Sequence, residues 1–482
     1  MKELKLVAKG GALSLLGDAT NYFLSYVFLF IASHWLGAAL LGAYYWALSI
    51  ASLLGECAEC GTGQGLIYFS PKQEGDKSLP YLRFVLGFTL ANAVILGLLL
   101  VIFAPSVAQS LNKAELTWLL RLFALALPLA VFWPVLYKYC VGRFRIATGI
   151  VYGDIFRPLV RVLTLLLFIG AGWKLVALPG TEVAVGLVMF LAGLAIIGKL
   201  WGRGLFAGGL SWREKGSVLL YSIPFLPLSL ARGERLILII TGFFLAVGGL
   251  GVFGVALKVA ALSQVILTGL NFVFRPMVSK LYAAGDMTGL KMVYKAITRW
   301  IFMLTLPLSF FFLVYPTEVM GLFGPGFASG ATALMIISFG YLFEFGTSAT
   351  QVIINMTGRS WLSLFNQIIY LIVVLVFGTA MIPALGIIGA AAAVAAGIVV
   401  VNLFRLYQSW RIVGFTPYSL FLLKPLAAMI VSGVVVLLLP VKNLAILLPV
   451  YLTVYLGVLL VLKLNAQDRD LLLDLWGAVR QR

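Results

Sequence analysis

Charge is what this chain has least of. Only 11% of its 482 residues are Asp, Glu, Lys or Arg, far fewer than a soluble chain of that length needs to cover its surface. It has one histidine, His34, and three cysteines, Cys57, Cys60 and Cys140, all in or beside apolar runs. That usage suggests no disulfide framework. Zinc needs four ligands, and the Cys57/Cys60 pair has His34 only at the opposite end of the same hairpin, so the Cys-x-x-Cys spacing reads as small buried packing residues. Runs such as ILGLLLVIFA do not alternate, which excludes the strands of a membrane barrel. The stretch GLAIIGKL, Gly193 to Leu200, comes close to a phosphate-binding loop. It lacks the Ser or Thr that would hold magnesium, and no strand-loop-helix unit surrounds it. Lys199 there reads as a side chain reaching the membrane interface. ATP hydrolysis is not expected.

What is present in abundance is apolar sequence: 62% hydrophobic residues and a mean hydropathy of +1.07. A helix needs about 20 apolar residues to cross a bilayer, and backbone groups in lipid must be satisfied within the segment. The expected fold is therefore an all-α polytopic membrane protein of about fourteen transmembrane helices. These fall near 11–35, 39–69, 81–104, 115–140, 148–170, 175–199, 216–245, 250–275, 294–315, 328–356, 362–381, 385–410, 418–440 and 443–463. The first follows Lys2, Lys5 and Lys9 as a signal peptide would. Asp18 and Asn21 interrupt its core and no clear cleavage box follows, so it is kept as a span. Loops such as SPKQEGDKSLP and WGRGLFAGGLSWREKG are too short for a soluble domain.

The net charge of +18 is placed as a membrane protein places it. With the N-terminus in the cytoplasm, only Lys113, Arg121, Lys174 and Lys442 fall outside. Arg157, Arg161, Arg232, Arg235 and Lys258 fall within spans, and the rest of the 35 Lys and Arg are cytoplasmic. Both termini are thus expected inside, and the basic fringe faces anionic lipid head groups rather than nucleic acid.

The chain also carries a trace of repetition. KGGALSLLG at Lys9 is echoed by KGSVLLYSIP at Lys215, and LGAALLGAYYWAL from Leu36 by GGLGVFGVALKVA from Gly248. Each member of the second pair sets two glycines five apart, Gly37 and Gly42, then Gly249 and Gly254. An offset of six spans keeps both copies in one orientation, related by an axis along the membrane normal. That reading gives two pseudo-symmetric six-helix lobes around a central cavity, 1–210 and 211–412, with spans 13 and 14 and a cytoplasmic tail in 413–482.

Ionisable residues inside spans are expensive and so mark function by default. Arg232 and Arg235 lie three apart on one helix face, with Glu234 turned away. Pro224 and Pro227 precede them and are expected to kink that helix. Arg157 and Arg161 lie four apart on one face, and Lys258 sits in the eighth span. Such cations suit an anionic head group crossing the membrane, and arginine suits phosphate because its planar fork binds two oxygens and stays charged. The competing reading is that they brace the bundle against its acids. Those acids, Asp18, Glu56, Glu59, Asp154, Glu234 and Glu344, read either as a proton or sodium coupling site or as structural partners of the cations. Trp35, Trp46, Trp118, Trp173, Trp212, Trp300 and Trp410 fall near expected helix ends and read as interfacial belts.

These residues together resemble a known family. LGAALLGAYYWALSIASLLGECAECGTGQGLIYF resembles the first helical hairpin of the polysaccharide transporters, the O-antigen-type flippases of the multidrug/oligosaccharidyl-lipid/polysaccharide (MOP) exporter superfamily. In that hairpin a Leu-Gly, a Gly-x-Tyr and a carboxylate-x-Gly-x-Gly recur. YSIPFLPLSLARGERLILIITGFFLAVGGLGVFGVALKVA is similar to the family's spans seven and eight. GLFGPGFASGATALMIISFGY, NMTGRSWLSLFNQIIY and PALGIIGAAAA resemble its later loops and turns, in the family's order. The resemblance implies alternating access that moves a polyprenyl-pyrophosphate-linked oligosaccharide from the inner to the outer leaflet. It also implies the cytoplasmic (inner) membrane as location, a transporter rather than an enzyme, and an ion gradient rather than ATP. No resident cofactor is implied, with Na+ and H+ as the candidate coupling ions. Expected partners are the lipid-linked substrate, membrane lipids and the polymerase or glycosyltransferases of polysaccharide synthesis, around a monomer. Arg232, Arg235, Arg157, Arg161 and Lys258 are then the candidate pyrophosphate ligands. Glu59 matches the family's carboxylate-x-Gly-x-Gly, and Glu56 is an addition. Relatives often carry aspartate before the span-seven arginine, where this chain has Glu234, and Arg232 is extra. The segment ECAECGTGQG is expected to be the inner half of span two, its glycines letting helices pack closely and bend. The rival functions are a cation-coupled multidrug exporter of the same superfamily and a peptidoglycan-precursor lipid flippase. A non-transporting organiser of envelope enzymes is the rival from another class.

Overall fold

The computed structural model describes residues 2–462 apart from 74, 111–112, 114–115, 202–208, 231–232 and 442. Among the described residues every regular element is helical, with no strand. Among the described residues eleven helices are long and apolar enough to cross a membrane, so the protein is multi-pass and helical. Eleven is fewer than the fourteen expected. α1 (Lys2–Glu59) carries the first two expected spans in one run, and spans five and seven are cut into shorter pieces. The chain divides into two compact units, with the boundary between Gly251 and Val252.

In the first unit α1 is broken at Gly37, whose φ of 76° and ψ of 176° are open to glycine and closed to most side chains. α1 ends at Glu59, ten residues before the expected end of span two. Cys60 (φ 52°) and Gly61 (φ 72°) both turn left-handed there, and a short helix, α2 (Thr62–Phe69), restarts beyond them. The stretch ECAECGTGQG thus bends where its glycines begin, by a full break between two helices. α3 (Leu79–Ser110), α4 (Thr117–Ala130) and α5 (Phe132–Gly142) follow. Expected span five is α6 (Ile146–Ile150), a π-helical turn at Val151–Phe156, and α7 (Arg157–Gly170), whose first turn holds Pro158. Proline fits there because its missing N–H costs nothing at a helix start. α8 (Ala177–Trp201) follows. Expected span seven is three helices, α9 (Trp212–Ser222), α10 (Phe225–Leu230) and α11 (Gly233–Phe244), and Pro224 and Pro227 lie at and just past the first break, as the kink predicted. α9 opens on a capping box: Ser211 Oγ accepts from the Glu214 N–H at 3.3 Å, and Glu214 Oε2 accepts from the Ser211 N–H at 2.8 Å. The Ser211 hydroxyl, donating to Glu214 Oε2 at 2.7 Å, and then the Ser211 N–H hold the exposed Glu214 carboxyl below the usual carboxylate range.

The core of this unit is apolar contact among α2, α3, α5 and α8, centred on Leu82, Val135, Leu136, Tyr139 and Met189. α1 meets α12 (Val247–Ala261) backbone to backbone. A β-carbon on Gly42 would overlap the carbonyl of Val247, and one on Gly251 the carbonyl of Ala38. Small residues permit this approach, which dispersion and close packing reward in a membrane protein. Trp46 is buried, not interfacial, because Gly242 leaves its indole a space that any side chain would fill. Trp35, Trp173 and Trp212 are exposed, as interfacial anchors should be.

The second unit comprises α13 (Gln264–Ala283), α14 (Met287–Val314), α15 (Pro316–Gly321), α16 (Ala331–Thr347), α17 (Ala349–Met356), α18 (Ser360–Leu385), α19 (Ile387–Val413), α20 (Leu423–Leu437) and α21 (Leu444–Val461). α18 and α19 join at Gly386 (φ 61°), and Gly389 sits where a β-carbon would overlap the Met381 carbonyl. Asn366 and Gln408 exchange amide hydrogen bonds of 2.8 and 2.9 Å between these two helices. Phe310 stacks on Tyr451 at 4.5 Å, tying α14 to α21, and Tyr455 donates to the Met303 carbonyl at 2.8 Å. Trp300, expected near an interface, is buried against Phe274. In both units the exposed apolar side chains, Leu98, Ile102, Leu167 and Val461 among them, are those a lipid-facing surface requires.

Candidate functional site

Among the described residues of the first unit, three cations pair with carboxylates. At the helix break, Glu59 is buried and closes an ion pair with Lys138 from α5, while its Oε1 accepts the Gly63 N–H at 3.1 Å. A β-carbon at residue 63 would overlap both Glu59 Oε1 and the Lys138 stem, so the glycine makes the space in which the pair forms. Gly61 is constrained twice, by its positive φ and by the Ser222 carbonyl where its β-carbon would stand. One turn earlier, Glu56 Oε1 accepts from Arg235 Nη1 at 2.9 Å, joining α1 to α11. The two glutamates of the motif thus serve different cations.

Arg157 and Arg161 share a face of α7 but have different surroundings. Arg161 donates through Nε to Glu182 Oε1 at 2.8 Å and through Nη2 to the Tyr44 hydroxyl, which itself donates to Glu182 Oε1 at 2.7 Å. Its guanidinium lies 4.0 Å from the centre of the Phe28 ring. Arg157 instead stacks on Trp133 of α5, with Cζ 4.4 Å from the ring centre. On the π-helical turn just before it, Asp154 Oδ2 accepts from the Tyr137 hydroxyl at 3.2 Å. Asp18 is half-buried and follows Gly17, whose missing β-carbon admits Ile150 and Asp154.

In the second unit Glu344 of α16 accepts from Gln264 Nε2 at 2.6 Å and faces Arg405 of α19 at 4.0 Å. Arg405 Nη1 also reaches Asn402 Oδ1 at 3.4 Å, and the Thr347 hydroxyl donates to the same oxygen at 3.0 Å. Lys258 is partly buried on α12, also in the second unit. Arg232 and the side chain of Glu234 lie outside the described residues. Cys57, Cys60 and Cys140 are free thiols, and among the described residues no three of His, Cys, Asp and Glu converge as a metal site would need.

Sequence reasoning missed Lys138, Glu182 and Arg405 as members of this charge system. Each lies toward the end of an expected span, where a charge reads as interfacial. A usable signal existed for Glu182, since LPGTEVAVG places a lone carboxylate in apolar sequence on the side that carries few cations.

Comparison with known proteins bears on what such a charge system serves. Residues 7–282, more than half of the chain, match the family described as polysaccharide biosynthesis protein. An uncharacterized membrane protein of Methanocaldococcus jannaschii is 30% identical over 135 residues, a stretch spanning 27% of this chain and 26% of that relative's length. Among solved structures, the lipid II flippase MurJ in an inward closed conformation superposes with a TM-score of 0.74, at 13% identity over 94% of this chain and 98% of that one. An inward-facing multidrug resistance MATE family transporter of the MOP superfamily gives 0.63, at 16% identity over 82% and 94%. A MOP superfamily transporter from Pyrococcus furiosus gives 0.58, at 15% identity over 84% and 96%. At those identities the likeness is one of fold. With a multi-pass helical fold shared with MOP-superfamily transporters and a family match over more than half its length, the chain belongs to the polysaccharide biosynthesis protein family.

Proposed function

We propose that the protein is a flippase that moves a polyprenyl-pyrophosphate-linked oligosaccharide from the inner to the outer leaflet of the cytoplasmic membrane. It supplies cell-surface polysaccharide synthesis and acts by alternating access rather than as an enzyme. The observation that carries this reading is the set of membrane-embedded arginines, Arg157, Arg161 and Arg235, in a chain of the polysaccharide biosynthesis family. A diphosphate must shed its water to cross, and guanidinium groups replace that water with charge-assisted hydrogen bonds. Arg232 and Lys258 complete the proposed pyrophosphate ligands. The carboxylates Asp18, Glu56, Glu59, Asp154, Glu234 and Glu344 are the proposed sites at which Na+ or H+ couples to movement. In this reading the eleven long helices, the Gly37 break and the two interrupted segments make fourteen spans with both termini inside. The 1–210 and 211–412 lobes are the moving bodies.

Two fold relatives define the rivals. The lipid II flippase likeness favours a peptidoglycan-precursor lipid as an alternative substrate. The multidrug transporter likeness favours drug export, but exported drugs are often lipophilic cations, which the arginines would repel. The deciding experiment reconstitutes the chain in proteoliposomes and follows leaflet exchange of a polyprenyl-pyrophosphate saccharide beside efflux of a cationic dye. Exchange that is lost in the Arg232→Ala/Arg235→Ala variant supports the flippase. Dye efflux without saccharide exchange overturns it and leaves the arginines as braces.

A further inference from the structure

Among the described cations inside the membrane segments of the first unit, Lys138, Arg161 and Arg235 each have a carboxylate of their own, Glu59, Glu182 and Glu56. Arg157 is held differently. Among the described residues no carboxylate lies within 4.0 Å of its guanidinium, and its close partner is the face of Trp133 at 4.4 Å. A guanidinium lying on a ring spends its face on the ring and keeps its five N–H donors in its own plane, pointing outward from the edge. That edge matches two oxygens of a phosphate, with Glu182 and Asp154 acting on the charge from beyond ion-pair distance.

The position is built rather than incidental. The π-helical turn Val151–Phe156 runs directly into Arg157, and π turns inside helices recur at functional sites. Gly153 lies where a β-carbon would press on the Tyr137 ring, so Tyr137 packs tightly beneath the turn. The Tyr137 hydroxyl takes up Asp154 Oδ2 at 3.2 Å, and its ring meets Trp133 edge-on at 6.4 Å. The nearest acid in sequence, one turn before the arginine, is thereby held by a neutral donor and acts on Arg157 without an ion pair. Pro158 fixes the chain on the other side.

We infer that Arg157, stacked on Trp133, is the one of the proposed first-unit ligands that takes a phosphate without first parting from a paired carboxylate, ahead of Arg161 and Arg235, and that Tyr137 and Asp154 are positioning residues beside it. The inference rests on the flippase reading for its ligand, a phosphate or pyrophosphate ester carried on a lipid. It separates Arg157 from Arg161, which the sequence had placed as equals.

The test uses the purified full-length chain in detergent, titrated with farnesyl pyrophosphate, inorganic pyrophosphate and farnesol, with binding read by native mass spectrometry. Farnesyl pyrophosphate is expected to bind the native chain. Arg157→Gln is expected to weaken it about tenfold, and Arg157→Lys, which keeps the charge and loses the fork, by a smaller factor. Binding should also change the indole emission of the native chain and leave that of Trp133→Phe unchanged, which a merely structural arginine would not produce. Arg157→Lys and Trp133→Phe keep the inference testable where Arg157→Gln does not fold. Equal binding by the native chain and folded Arg157→Gln overturns the inference and leaves the flippase reading standing. Binding of inorganic pyrophosphate as tight as that of the lipid ester supports the phosphate site and overturns its lipid source. No binding of any polyprenyl phosphate by the native chain overturns the flippase reading and this inference with it.

Discussion

The amide of Gly63 donates to Glu59 Oε1 at 3.1 Å, and a β-carbon on that glycine would overlap the same oxygen. The turn that ends α1 is therefore shaped around an ion pair, not around the cysteines that flank it. Gly63→Ala is expected to push Glu59 away from Lys138 and to cost about 1–3 kcal/mol, the usual range for forcing a methyl into a packed site. A thermal melt of the purified protein measures this. A melting temperature equal to that of the native chain would mean the pair is not held as described.

Arg161 and Glu182 provide the sharpest energetic test. Arg161→Met alone leaves the Glu182 carboxylate buried beside Tyr44, at an expected cost of about 3–5 kcal/mol. The double change Arg161→Met/Glu182→Leu removes both charges and should recover most of that loss. A double-mutant cycle on unfolding in mild detergent gives the coupling, and additive losses would show that the two residues act independently.

Gly42 and Gly251 set the distance between α1 and α12. Gly42→Ala has to move the helices apart, because its new methyl meets the Val247 carbonyl, a backbone atom that cannot turn aside. The expected result is a destabilisation of about 1–3 kcal/mol or more. A thermal melt of the purified Gly42→Ala protein measures this, and an unchanged melting temperature would contradict the backbone contact.

Glu344 offers the contrast. It sits 4.0 Å from Arg405 and accepts a 2.6 Å hydrogen bond from Gln264. Glu344→Gln can keep a hydrogen bond to Gln264, so the stability change should stay below about 1 kcal/mol. If Glu344 carries the coupling ion, saccharide exchange in proteoliposomes loses its dependence on the imposed gradient. Gradient dependence unchanged from the native chain would remove Glu344 from the coupling set.

The membrane fold was legible because it follows from composition, and the kink at Pro224 and Pro227 because proline chemistry is local. The glycines after Glu59 were legible as a bend, but the full break there was not. Cys60 adopts a φ of 52° that cysteine rarely takes, and what imposes it is the packing of Gly61 against Ser222, a contact 161 positions distant in the chain. Glu56 and Glu59 stood out as charges in apolar sequence, yet their partners could not be read, since Lys138 and Arg235 come from helices far along the sequence. Trp46 was misplaced for a related reason: its burial depends on the missing side chain of Gly242. Pattern reading recovers what a residue imposes on its own helix. It fails where a second helix, by leaving a space or supplying a countercharge, decides the outcome.

A cation matched by its own carboxylate presents to its surroundings the field of a dipole, which dies away much faster than that of a bare charge. Lys138, Arg161 and Arg235 are of this kind, so these three do little to draw an anion across open water. On the proposed flippase reading, their part in holding a ligand should then lie in the rate of departure and not in the rate of arrival. Added salt, which weakens long-range steering between exposed charges, should change that hold little, while peeling the same lipid away from the basic cytoplasmic fringe.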